Sequence, residues 1–478
     1  MWQKNNQSLL LQTELKLRED LADLKKNVDC MFLIVMGIFV FCLQGGFAFY
    51  ESACVRPKNV TNVLFRNYID SSISVICYLL TGYAFTFGGG DNGFCGTQYF
   101  ALIGLPEDKM AHCFFQYTFA ATSTSIVKGI MHERCTTAAF ICYTCLVSGF
   151  IYPVASYWAL SDNGWLKVLG FEDFAGSGSI HSLAGSASLA AAYMAGPRHD
   201  RFEKDGKIND IPLHSIPQAF LGSFFFVLGM LAFNTGSHGS ITNEGDGIAV
   251  AKVAVNTLIC VMASSVTAIV FQRFVIERSN SGWNFEVGLN GSFIGMITIC
   301  AGCNQYQKWA ALVVGILSYF VYLIAQSIIK FAKIDDPVGG LGGQMGGGFF
   351  GLVFVALFKD DGVFLQPSLT SANVLLINTV GGITIMIWAA GTMVLIYIVL
   401  RYFKLHRVSL SDEKIGLDEV VNKQPAYRSE DVLECQNEYA SVFVRSARLS
   451  GSMDGLNRRT RQIAVAPPRP TKLGLISL

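Results

Sequence analysis

The sequence predicts an all-α polytopic membrane protein with eleven transmembrane helices, built as an inverted 5+5 helix repeat plus one. Three observations carry this. The 478 residues are 51% hydrophobic and only 15% charged, and a mean hydropathy of +0.41 is not the balance of a soluble domain. Apolar runs long enough to cross a bilayer recur along the chain. A short grammar occurs twice: Asp173, two residues, Gly176, four residues, His181, and again Asp336, Gly339, Gln344.

The apolar runs lie near 31–50, 70–90, 113–131, 136–157, 178–196, 214–235, 248–272, 286–303, 308–330, 338–358 and 373–402. The basic residues of the loops orient them. Arg56, Lys58 and Arg66 follow the first run, Lys128 and Arg134 the third, and Arg198, Arg201, Lys204 and Lys207 the fifth. Arg273 and Arg278 follow the seventh, and Lys330 and Lys333 the ninth. The remaining loops hold Lys109, Lys167, Lys308 and Lys359, a bias of 13 to 4. This places the odd-numbered loops and the C-terminus in the cytoplasm and the N-terminus outside. Residues 1–30 are then an extracellular segment, 31–402 the membrane domain, 403–428 a cytoplasmic regulatory segment and 429–478 a disordered cytoplasmic tail. The five basic residues of the N-terminal segment oppose this orientation, but acidic residues are interspersed with them.

His181 falls in the fifth run and Gln344 in the tenth. An odd-numbered unit repeated in tandem enters the membrane in opposite senses, which is the plan of many transporters, with the substrate path between the halves. On a helix, the eight residues from Asp173 to His181 rise roughly 12 Å, so His181 lies well inside the hydrocarbon, where an ionisable side chain signals function. Ala184, Gly185, Ala187 and Ala190 follow His181, and Gly346, Gly347 and Gly348 follow Gln344. Small residues allow close helix packing and a narrow path.

A net charge of +1 and the lack of a basic, aromatic-interleaved patch exclude a nucleic-acid partner. The thirteen Cys lack metal-ligand spacing, so no metal or other cofactor is expected. Only Cys95 and Cys113, flanking one short loop, have the placement for a disulfide. The polar, amphipathic first thirty residues are not a cleavable signal. Topology leaves Asn6-Gln-Ser8 as the accessible glycosylation sequon, since Asn59 is cytoplasmic and Asn290 lies in a span. Ser409 to Tyr427 reads as structured; beyond it Ser446, Ser450 and Thr460 sit among Arg residues as candidate kinase sites.

The run Gln44-Gly-Gly-Phe-Ala-Phe-Tyr-Glu51, with Val55-Arg-Pro-Lys-Asn-Val-Thr-Asn62 and Arg66-Asn67, resembles the ammonium transporter/methylammonium permease/Rhesus family. So do Asp173-Phe-Ala-Gly176 with His181, Phe233-Asn-Thr-Gly-Ser237, Asn290 to Gly302, Asp335-Asp-Pro-Val-Gly339 and Gly416-Leu-Asp418. The resemblance spans about residues 28 to 428. It implies a plasma-membrane trimer, homomeric or mixed with related subunits, bathed in membrane lipid, with a pore for ammonium or ammonia through each subunit. Asp173, and Asp336 in the second copy, resemble structural carboxylates near the pore. Phe119 and Phe233 resemble a stacked pair of gating rings, Ser237 the hydroxyl that accepts a hydrogen bond from the cation, and His181 the first of twin pore histidines. Neutral imidazole offers one donor and one acceptor. Gly416 and Asp418 resemble a regulatory tail that packs on a neighbouring subunit's loops.

Two departures stand out. Gln344 occupies the second histidine position and cannot take up a proton near neutral pH. Leu160 stands where the family often has a Trp of a cation–π cage, which weakens cation recruitment by about 0.5–2 kcal/mol; Trp158, two residues earlier, faces elsewhere. The resulting expectation is an ammonium transporter or channel rather than an enzyme, since no Ser/His/Asp set or metal cluster lies at membrane depth. A non-conducting sensor or regulatory subunit is the alternative that Gln344 suggests, and passage of a neutral gas is a third.

Overall fold

The computed structural model describes residues 2–90, 92–203, 207–277 and 282–427. Met1–Gln424 form one compact unit; of a second, Pro425–Leu478, only 425–427 are described, so Ser446, Ser450, Thr460 and the tail from 429 lie outside the described residues. Helices make nearly every regular element. They are α1 (Trp2–Cys54), α2 (Val60–Cys77), α3 (Tyr83–Phe87), α4 (Met110–Ile130), α5 (Thr137–Leu146), α6 (Tyr152–Leu160), α7 (Trp165–Leu169), α8 (Leu183–Ala195), α9 (Ile216–Gly236), α10 (Asp246–Phe271), α11 (Phe285–Ile299), α12 (Lys308–Phe331), α13 (Gly348–Phe358), α14 (Leu369–Tyr402) and α15 (Leu410–Ile415).

Each apolar run read from the sequence falls largely within helix. Among the described residues seven helical stretches are long and apolar enough to cross a membrane, and Phe285–Ile299 and Gly342–Phe358 are shorter apolar helices. α4 is not among the seven because Thr118, Thr122, Ser123 and Lys128 lower its hydropathy. It sits instead inside the protein, buried along most of its length. Its hydroxyls are satisfied locally: Thr118, Thr122 and Ser123 donate to the carbonyls of Phe115, Thr118 and Phe119, which makes a polar helix tolerable in an apolar interior.

The N-terminal thirty residues are helical: α1 runs unbroken from Trp2 through the first apolar run to Cys54, and residues 9–28 hold no Gly or Pro to break it. Cys95 and Cys113 are free thiols, so the disulfide their spacing allowed is not formed. Asn6 of the sequon is exposed.

α1 lies along α9 and also against α4, α10 packs on α11 and α12, and α8 packs on α14. At the centre, two π-helical turns face each other, Ser177–Ser182 leading into α8 and Gly342–Gly347 leading into α13. π turns recur at functional sites. The two copies match in detail. Asp173 accepts from the Gly178 amide and Asp336 from the Leu341 amide, both five residues on. Gly176 and Gly339 both have positive φ, at 87° and 65°. A Cβ on Gly185 would lie 2.4 Å from Met345 N, and one on Gly348 would lie 2.5 Å from Ser182 N. Met345 and Ser182 occupy the same place in their copies, nine residues after the Asp, so each copy's glycine rests on the other's backbone in a reciprocal crossing.

Candidate functional site

The crossing lies between two cavities. The outer one, named for the face away from the Arg-rich loops, is lined by Phe119, Leu160, Asp173 and Ser237, with Gln116 and Asn304. A narrow inner one is lined mostly by apolar side chains, with His181, Gln344, Tyr50, Glu51 and Phe293 on its wall. A third, of about 1450 Å³, shares Tyr322 and Asn290 with the inner one and opens among Arg198, Arg201 and Asp336.

At the outer cavity α9 ends at Gly236, and Ser237 Oγ donates back to Phe233 O at 2.8 Å. Its donor is thus used and its lone pairs remain as acceptors on the cavity wall. Gln116 Oε1 and Asn304 Oδ1 are buried without partners on the same cavity. A buried carbonyl oxygen left unpaired costs free energy, and any N–H or O–H donor that enters the cavity offsets that cost. Sequence reading missed both as site residues, since a lone Gln on an apolar helix and an Asn in a short loop carry no spacing signal. Asp173 does not reach into open space with its bonded oxygen: Oδ2 accepts from Gly178 N, Ser179 N and Ser179 Oγ at 3.1, 2.8 and 2.9 Å, tying the loop to the π turn below the cavity. Leu160 lines the outer cavity, whereas Trp158 is buried with Nε1 donating to Phe94 O at 2.8 Å and its ring against Trp388. No indole covers the entrance from position 158.

Between the cavities stand Phe119 on α4 and Phe233 on α9. Their centroids are 4.3 Å apart, but the planes meet at 87°. The expected stack is therefore an edge-to-face pair, the geometry that ring quadrupoles favour. Phe233 is fully buried, and its ring is 5.8 Å from that of His181. The order is outer cavity, Phe119, Phe233, His181.

His181 Nδ1 is 2.8 Å from Gln344 Oε1. With the amide oxygen of Gln344 assigned to face the ring, Nδ1 carries the proton, and in the neutral imidazole Nε2 then keeps its lone pair. Nε2 is buried without a protein partner, and His181 lines the inner cavity. The inner wall also holds a group the sequence did not single out. Glu51 Oε2 accepts from His132 Nε2 and Asn67 Nδ2, both at 2.8 Å, with Lys128 Nζ 3.8 Å away.

On the face of the Arg-rich loops, Asp335 is gripped by Arg134 at 2.8 Å and Arg198 at 2.8 Å. Burial alone would raise its carboxyl, but the two guanidinium groups outweigh that and hold it well below the usual carboxylate range. The neighbouring Asp336, which the sequence paired with Asp173, accepts from Leu341 N at 2.7 Å and Gln326 Nε2 at 3.3 Å.

The segment after α14 docks on Lys58 and the first turn of α2 in the same chain. Asp418 accepts from Thr61 N at 3.0 Å and Asn62 N at 2.7 Å, and Lys58 Nζ donates to the carbonyls of Glu413 and Lys414. These contacts are made within one chain.

The model of the Ammonium Transporter Family matches residues 31–427. The chain is similar to a Caenorhabditis elegans protein provisionally named ammonium transporter 1, at 34% identity, covering 84% of this chain and 79% of that one. It is similar as well to ammonium transporter 1 member 3 of Oryza sativa subsp. japonica, at 31% identity, covering 86% of this chain and 88% of that one. Among solved structures, one named Sensor Amt Protein superposes with a TM-score of 0.78 at 31% identity, covering 84% of this chain and 99% of that one. Candida albicans Mep2 shares the fold with a TM-score of 0.71 at 22% identity, covering 80% and 86%.

Proposed function

Because the chain belongs to the ammonium transporter family and is a multi-pass membrane protein, we propose that it moves ammonium nitrogen through its own pore, from the outer cavity past Phe119 and Phe233 to His181 and Gln344. The topology we attach to this is eleven spans in an inverted repeat, N-terminus outside and C-terminus cytoplasmic, in a homotrimer or mixed trimer. The reciprocal seating of Gly185 and Gly348 supports the repeat.

The steps follow from the residues. Ser237 Oγ, Gln116 Oε1 and Asn304 Oδ1 accept N–H bonds from the cation while Asp173 supplies charge. Ring faces and edges at Phe119 and Phe233 exclude water, so a small solute passes only by shedding its shell. Beyond them His181 Nε2 accepts one N–H bond in a cavity with few competing polar groups. The carrying observation is the His181–Gln344 contact, which fixes the tautomer that leaves this acceptor in the path. Phe119 and Phe233 interrupt the path in this conformation, so ring motion accompanies each passage.

A second reading is a weakly conducting sensor or regulatory subunit. Gln344 favours it, because the amide cannot hold a proton, and the solved relative named Sensor Amt Protein adds weight. Expression in yeast lacking its ammonium permeases separates the two. Growth on low ammonium supports transport, and growth only with Gln344→His, at equal surface expression, supports the sensor.

A further inference from the structure

The outward half of α1 carries a pattern that neither the pore nor the family match, which begins at residue 31, uses. Leu17, Leu24, Met31 and Ile38 recur every seven residues, and Leu21, Val28 and Val35 interleave with them at offsets of four and three. This is the a/d seam of a coiled coil. Leu17, Leu21, Leu24, Met31 and Ile38 are each more than half exposed, so the seam has no partner within the chain.

The chain's own contacts lie on the other side of the same helix. Lys26 pairs with Asp108 at 3.3 Å, Asp29 accepts from the amides of Ile241 and Thr242, and Leu33 and Val40 are buried. The seam therefore points away from the subunit to which α1 is anchored. From Leu17 to Val28 it stands before the first apolar run begins, where lipid does not cover it and water meets leucines.

We infer that this seam binds the same seam of other copies of the chain, forming a parallel coiled coil on the face that carries Asp108 and Thr242. Two features select that occupant. Membrane insertion gives every copy the same sense, so helices projecting from one face meet in parallel. In a parallel coil, the residue at g meets the residue at e of the next heptad on the neighbour. Those positions are Asp20 and Lys25, both exposed and of opposite charge. Upstream the seam is broken by Glu14, which is tied to Arg18 of its own helix at 2.6 Å, so the coil starts at Leu17. The inference rests on the proposed trimer for its strand number but not for its register.

Disulfide trapping in native membranes tests it, with full-length protein in a Cys30→Ser background. Leu24→Cys lies on the seam and Glu19→Cys on the outer face of the same helix. The coil predicts a reducible covalent dimer several-fold more abundant for Leu24→Cys, and loss of trapping at Val28→Cys when Leu17, Leu21 and Leu24 are changed together to Ser. Equal trapping at Leu24→Cys and Glu19→Cys, or none at Leu24→Cys, overturns the coil. The native mass of the detergent-solubilised protein, measured alongside, shows whether the trimer stands without it.

Discussion

His181 Nδ1 donates to Gln344 Oε1 across 2.8 Å, joining the same position of the two repeat copies at the crossing point of their helices. Each residue stands eight positions after its aspartate. The pairing replaces one ring nitrogen by an amide oxygen, which sets the imidazole proton on one side and leaves the other nitrogen for the path. Only one member of the pair can change protonation state.

Phe233 separates the cavities. Phe233→Ala removes a fully buried ring whose loss costs about 3–5 kcal/mol in stability and opens the inner cavity toward the outer one. Recorded in oocytes, the variant should admit potassium alongside ammonium; unchanged ion selectivity in a protein that reaches the surface would mean that the ring pair is not the barrier.

Leu160 leaves the entrance without an indole. Leu160→Trp should tighten apparent ammonium affinity by about 2- to 30-fold, the equivalent of 0.5–2 kcal/mol of cation–π attraction. The half-saturating ammonium concentration for uptake checks this, and an unaltered value would place cation recognition on Ser237, Gln116 and Asn304 alone.

Much of this was legible in the chain. Long apolar runs marked the helices, and the shared spacing of Asp173 with His181 and Asp336 with Gln344 marked the crossing, because a backbone turn held by an aspartate needs its glycine and its capped amide at set distances. What was not legible depends on partners far apart in sequence. Ring type told nothing of the 87° angle between Phe119 and Phe233, and the free oxygens of Gln116 and Asn304 exist only because no neighbour comes to them. The polar residues of α1 concealed its continuity by interrupting hydropathy without interrupting the helix.

Asp335 ties Arg134 and Arg198 together. Its carboxyl is depressed in the folded protein, so its contribution is present above the unfolded value near 4 and is lost as pH falls through the lower folded value. Melting of the detergent-solubilised protein should show an acid-side loss of stability that Asp335→Asn abolishes, at a cost near neutral pH of about 3–5 kcal/mol from the unpaired guanidinium groups. An unchanged acid limb in the variant would assign that loss to other carboxylates.

Gly416 has φ of 116°, and a Cβ there would lie 2.7 Å from both Lys58 Cβ and Lys58 O. Gly416→Asp should lift the tail from Lys58 and the first turn of α2 and lower uptake. Since the contact is within one chain, uptake on co-expression with the wild type should fall in proportion to the variant share. A steeper fall would show that the tail also acts on neighbouring subunits.

The most direct measurement records ammonium uptake and current together in oocytes expressing the native chain and Gln344→His. The account predicts saturable uptake by the native protein, and more charge carried per nitrogen once a second imidazole is present. A native chain that reaches the surface yet takes up no ammonium, with uptake only in Gln344→His, would contradict it.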